Sequence, residues 1–238
     1  MHEIPLRETF ILVLVFFAFR VSAQVPVEMP RIIKKEIPLY TDGVPDNFYR
    51  ITHNQARQMK LDSLENGFDS VQIRVWYEDP LSISRQLLVM QRSAGEWSAK
   101  SYKMTVLTQD SVEMLTDFVK KDISPLSGWA AMAKNLNKYV MTSLPNMDDI
   151  PGLFDSWKDG ETYCIEVATT KQYRFYCYHV PEHFQKRWWQ AQNMVGLLNI
   201  FEKEFRMKRG TGAEISRRPP NIKPRQKALP SKHKLRPL

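Results

Sequence analysis

The stretch TYCIEVATTKQYRFYCYHV, residues 162–180, decides the fold. Tyr163, Ile165 and Val167 alternate along its first half, and Arg174, Tyr176 and Tyr178 answer along its second. Period two in β-branched and aromatic residues predicts two half-buried strands joined near Thr170-Lys171. A loop of two or four residues pairs positions whose numbers sum to 341, which sets Cys164 opposite Cys177. These are the only two cysteines. Cross-strand Cβ atoms stand about 4.5–5.5 Å apart, close to disulfide reach. The expectation is a Cys164–Cys177 disulfide formed in an oxidising compartment. A loop of odd length would instead leave two free thiols.

Working outward toward the N-terminus, Val71, Ile73, Val75 and Tyr77 alternate with Gln72, Arg74 and Trp76, which predicts a strand after the Asn66-Gly67 turn. Residues 85–91 and 97–107 predict two more, with Ser93-Ala94-Gly95 as the turn between them. The inward pattern changes between Ala99 and Tyr102, which suggests a bulge there. The three strands read as an antiparallel meander. Asp46 is placed to cap a short helix ending near Met59. Residues 110–123 are read as a helix, because Asp110 and Glu113 resemble a capping box and Val112, Leu115 and Phe118 have helical spacing; a strand is the alternative. Residues 127–143 read as a helix capped by Ser127, with Trp129, Met132, Leu136 and Val140 on one face. Phe184, Trp188, Ala191, Val195, Leu198, Phe201 and Phe205 predict one long helix over residues 182–206. The predicted class is α+β: an antiparallel sheet, made of the meander and the later hairpin, with helices packed mainly on one face.

The ends of the chain differ from its middle. Residues 10–19 are unbroken apolar residues preceded by Arg7 and followed by Val21-Ser22-Ala23. That is the layout of a secretory signal over residues 1–23, cleaved near Ala23, and the run is short of the roughly 20 residues of a membrane span. Residues 24–47 form a lead-in punctuated by Pro26, Pro30, Pro38 and Pro45, and residues 48–207 suit a single domain. Residues 208–238 carry +9 against +8 for the whole chain, so residues 1–207 sum to −1. The basic character therefore belongs to the tail. Rich in proline and poor in apolar residues, it is expected to be disordered. Lys208, Arg209, Arg217, Arg218, Lys223, Arg225, Lys227, Lys232, Lys234 and Arg236 are the candidates for contact with an anionic surface. The tail has no aromatic residue for base stacking, so specific nucleic-acid recognition is not expected.

Two strings raise metal chemistry. His179-Val-Pro-Glu-His183 matches H-x-x-E-H, which binds zinc only when both histidines project from one helix. Pro181 between them belongs to a helix start, so the pair is expected to straddle a strand–helix corner. DSWKDGETYCIE, residues 155–166, places Asp155, Asp159 and Glu166 at calcium-loop positions, but Trp157 stands where an oxygen ligand is needed. No residue is expected to be catalytic and no cofactor is expected. No nucleophile-elbow, phosphate-loop or dinucleotide motif occurs. The expectation is an exported protein, periplasmic or extracellular and without a transmembrane span once mature. Its folded body holds a protein or envelope component, and its tail holds an anionic surface. The alternatives are a secreted hydrolase with a noncontiguous site and a purely structural or inhibitory module.

Overall fold

A computed structural model of the chain describes residues 32–80, 82–109, 112–153 and 160–210. The signal segment, Asp110, Asp155, Asp159 and the tail positions Arg217, Arg218, Lys223, Arg225, Lys227, Lys232, Lys234 and Arg236 lie outside the described residues. The strands are β1 (Lys34–Glu36), β2 (Val71–Glu78), β3 (Ser84–Ser93), β4 (Glu96–Gln109), β5 (Val112–Ile123), β6 (Thr162–Thr169) and β7 (Gln172–His179). The helices are α1 (Asn47–Gln58), α2 (Trp129–Asn137), α3 (Pro181–Phe184) and α4 (Trp189–Phe205). One seven-stranded sheet runs in the order β1-β7-β6-β2-β3-β4-β5. Among the described residues no helix is long and apolar enough to cross a membrane.

The hairpin closes in the register read from its sequence. Thr162 pairs with His179 and Cys164 with Cys177, and the two cysteines form a disulfide with Cα atoms 4.1 Å apart. Two expectations for these strands change. The sheet is mixed rather than wholly antiparallel, because Lys34, Lys35 and Glu36 of the lead-in pair parallel to β7. The hairpin strands are also covered on both faces. Tyr163, Ile165, Val167, Tyr176 and Tyr178 enter one core with Met132 and Leu136 of α2 and Met194, Leu198 and Phe201 of α4. Cys164, Ala168, Tyr173, Phe175 and Cys177 enter a second core with Tyr49 and Ala56 of α1.

That double coverage explains the change of pattern in β4. Trp97 and Ala99 pack into the first core, while Tyr102, Met104 and Val106 pack into the second. Both sets keep strict alternation, and the pairing with β3 is regular from Ser84↔Thr105 to Ser93↔Glu96. The irregularity instead lies between Thr105 and Val106, opposite Thr116 of β5. The same bulge explains why residues 112–123 are a strand and not the expected helix. Thr105 pairs with Asp117 and Val106 with Leu115, so one residue is skipped. Leu115 and Phe118 therefore face the same core although three apart, which imitates helical spacing.

The helices are shorter than their apolar spacing implies. Gly128, not Ser127, is the N-cap of α2, and Val140 lies beyond its end in a left-handed conformation (φ +46°). The Ser127 amide instead donates to Glu204 Oε2 at 2.8 Å. The long helix expected over residues 182–206 is two helices, because Trp188 is extended (φ −125°) and restarts the chain as the N-cap of α4. Its neighbour Trp189 is 56 % exposed. The HVPEH string forms the expected corner: His179 ends β7, Val180 turns left-handed, and Pro181 opens α3. His179 Nδ1 lies 2.9 Å from Thr162 Oγ1 across the hairpin.

Candidate functional site

Polar groups collect on the sheet face under α1. Asp46 starts this helix by accepting the Tyr49 amide N–H at 2.7 Å. Tyr49, Thr52, Gln55 and Ala56 then recur on its buried side. Alternation along β2 puts Gln72, Arg74 and Glu78 on the same side as Trp76, which packs against α1. Beside this helix runs a groove of about 930 Å³, whose lining includes Tyr49, His53, Gln55, Glu65, Arg74 and Glu113.

The groove's polar floor is a connected set. Glu166 lies opposite Arg74 in the β2–β6 register. Its carboxyl accepts the Trp76 indole N–H at 2.7 Å and stands 3.9 Å from Arg74 Nη1, with the two side chains 1 % and 3 % exposed. Arg74 also donates to Gln72 Oε1 at 3.2 Å and to the Asp62 carbonyl at 2.6 Å. Tyr173 OH lies 3.3 Å from Glu166 Oε2 and 3.2 Å from His53 Nε2. His53 Nδ1 is 2.9 Å from the Tyr49 carbonyl, which only accepts, so Nδ1 carries a hydrogen. In neutral His53, Nε2 then accepts from the Tyr173 hydroxyl. In protonated His53 it donates to Tyr173 Oη, and the phenol O–H then points to Glu166. Burial, reinforced by Glu166, pushes the Tyr173 phenol far above its ordinary range, so the hydroxyl keeps its proton.

At the rim, Tyr49 OH donates to Glu65 Oε1 at 2.7 Å, and Lys35 Nζ lies 3.1 Å from Glu65 Oε2. Burial opposes ionisation of Glu65, but these two partners outweigh it and hold the carboxyl below its usual range. Tyr49 also stacks on His53 with ring centroids 3.8 Å apart.

A second cluster reaches the groove through Gln55 and Glu113. Arg85, 3 % exposed in its side chain, grips Glu113 with both terminal nitrogens at 2.7 and 2.6 Å and also donates to Glu78. One guanidinium cannot neutralise two carboxylates. The buried one takes the proton: burial pushes Glu78 up to about 7 against the pull of Arg85. Among the described residues, Glu78 Oε1, Arg85 Nε and both amide atoms of Gln55 are buried without hydrogen-bond partners.

Folded Glu78 therefore holds a proton between its ordinary value of 4.5 and about 7, where the unfolded chain has lost it. Its contribution is full below 4.5 and disappears as pH rises through 7. Glu78→Gln is expected to remove a stability decline on the order of 3 kcal/mol between pH 5 and pH 8. Urea unfolding of both proteins at the two pH values checks this. Equal slopes with pH in wild type and variant would show that Glu78 is ionised in the folded chain.

Of the residues singled out in the sequence, Cys164 and Cys177 are brought together as a disulfide. Glu166, named there as an oxygen ligand, is buried on β6 with Arg74 as its neighbouring cation. Among the described residues no group of three His, Cys, Asp or Glu side chains could hold a metal ion. Lys208 and Arg209 belong to the folded body: Gln86 hydrogen-bonds the Lys208 main chain, and Arg209 pairs with Glu182 and Glu202. His53, Arg74, Trp76 and Tyr173 were not singled out. The available signal was a charged residue within each of two apolar strands, Arg74 in β2 and Glu166 in β6. Their pairing depends on a contact between distant segments. In comparisons with known proteins, the chain matches no family model, no curated protein and no solved structure.

Proposed function

We propose that this chain is an exported, non-enzymatic binding protein whose folded body takes its partner in the groove beside α1. The carrying observation is a groove of about 930 Å³, near the upper end of the usual range for ligand sites, with polar groups held in place by buried hydrogen bonds. Its walls mix Arg50, Arg57 and Arg74 with Asp62, Glu65 and Glu113. That mixture suits a polar partner bearing both charges, such as a peptide segment of an envelope component. Export after cleavage near Ala23, into the periplasm or beyond, agrees with a disulfide that needs an oxidising compartment. The basic tail supplies a second, salt-sensitive hold on an anionic surface.

His53, 3.9 Å from Glu65 in the same groove, is the observation that favours a hydrolase as the second reading. Against it, the hydrogen bonds of His53 among the described residues go to a carbonyl and a phenol, not to a serine or cysteine.

The test is affinity capture from an envelope extract across a salt series, with the full chain and with an Arg50→Glu/Arg57→Glu variant as baits. Both side chains are exposed, so the substitutions leave the buried core unchanged. A partner kept at high salt by the wild type and lost by the variant supports the groove. Capture that fades with salt equally for both baits assigns the interaction to the tail and overturns the reading.

A further inference from the structure

Residues 206–210, which follow α4, stay seated on the body. Met207 is buried in the first core. Gln86 of β3 then reads the Lys208 main chain in both directions: its amide donates to the Lys208 carbonyl at 2.7 Å and its oxygen accepts the Lys208 N–H at 3.4 Å. Arg209 places Nε and Nη2 each 2.6 Å from the two oxygens of Glu202, a bidentate fork. Its remaining terminal nitrogen reaches Glu182 Oε1 at 2.7 Å, and Nη2 also donates to Asn199. The Gly210 amide donates to Glu161, whose other oxygen accepts from Tyr163 OH.

The position after the arginine is close-packed. A Cβ on Gly210 would overlap Glu161 Oε1 and stand 3.0 Å from Asp79 Oδ2. Tyr77, 2 % exposed, keeps a buried hydroxyl with no hydrogen-bond partner among the described residues. Burial pushes Glu161 up to about 7, and the neighbouring carboxyls of Asp79 and Glu182 add to the shift.

We propose that Asp79, Glu161, Glu182 and Glu202, together with Gln86, form a recognition socket for an arginine–glycine segment, filled here in cis by Arg209-Gly210. Its components come from the end of β2, β3, the approach to β6, α3 and α4, so the socket exists only in the folded body. It holds the segment through an apolar anchor, a main-chain pair, a forked guanidinium and a close-packed small residue. The seated segment fixes the point from which the basic stretch continues. It also commits the Arg209 charge to the body, away from any anionic surface.

Limited trypsin digestion of the full exported chain tests this. Arg209 seated in the socket resists cleavage, because the protease requires the locally opened state. In the wild type, cleavage after Lys208 or Arg209 is expected to be at least about tenfold slower than cleavage after Arg217. In Gly210→Ala, and in Glu202→Gln as a second variant, the rates should come within about twofold of that at Arg217. The thermal midpoint of the body, read in parallel, separates release of the segment from unfolding. Cleavage at Arg209 as fast as at Arg217 in the wild type would overturn the socket. Protection unchanged in Gly210→Ala would overturn its selectivity for glycine.

Discussion

Replacing Arg74 by methionine is expected to lower the stability of the chain by about 3–5 kcal/mol, the range for breaking a buried ion pair from one side. Arg74 and Glu166 face each other across β2 and β6, with side chains 3 % and 1 % exposed. Methionine keeps much of the volume but supplies no charge and no donor. Glu166 would retain the Trp76 indole hydrogen bond and lose its neighbouring cation. The Asp62 carbonyl and Gln72 amide oxygen would lose the donor they now share. The companion variant Arg74→Met/Glu166→Gln should recover most of the loss, because a neutral amide still accepts from Trp76 and leaves no buried charge. Denaturant unfolding of both variants measures this. A single-variant loss below about 1 kcal/mol, or a double variant no better than the single, would sink the account. The measurement also bears on the groove, since Arg74 joins its wall to the floor.

Loss of the Cys164–Cys177 bridge is expected to lower stability by about 3 kcal/mol, the value for a closed loop of this size. The sequence separation is 13, and the bridge spans the hairpin that carries Glu166 on one arm and Tyr173 on the other. Most of the effect acts on the unfolded chain, which regains the freedom that the closed loop removes. With a denaturant slope near 2 kcal/mol/M, the urea midpoint should fall by roughly 1.5 M in reductant or in the Cys164→Ala/Cys177→Ala variant. A midpoint that does not move in either case contradicts the estimate. Two free thiols found in unreduced, exported protein would remove the bridge itself.

The two cysteines show how far residue order reaches. The pairing of Cys164 with Cys177 follows from alternation and a short loop, because both arms lie within one stretch and the turn sets their register. The Asp46 cap, the β2–β3–β4 meander and the strand–proline–helix corner at Val180-Pro181 are local in the same sense. Each depends on a few adjacent residues whose backbone preferences agree.

Other features were decided only by what packs against what. Leu115 and Phe118 have the spacing of a helix, and a bulge opposite Val106 puts them on one face of a strand instead. Residues 181–205 carry one apolar stripe, yet Trp188 adopts an extended conformation and divides it into two helices. Lys34, Lys35 and Glu36 have no strand pattern of their own and join the sheet by pairing with β7. The groove belongs to this second group. It needs α1 over β2, β6 inserted beside β2, and β7 carrying Tyr173 toward His53. By itself the sequence determined the hairpin, its disulfide, the first helix and the concentration of positive charge in the last residues, since propensity and register act between neighbours. The tertiary structure decided the strand order, the meeting of Arg74 with Glu166 and the seat of Arg209-Gly210. Those contacts join segments far apart along the chain, and their energies are realised only when both sheet faces are covered at once.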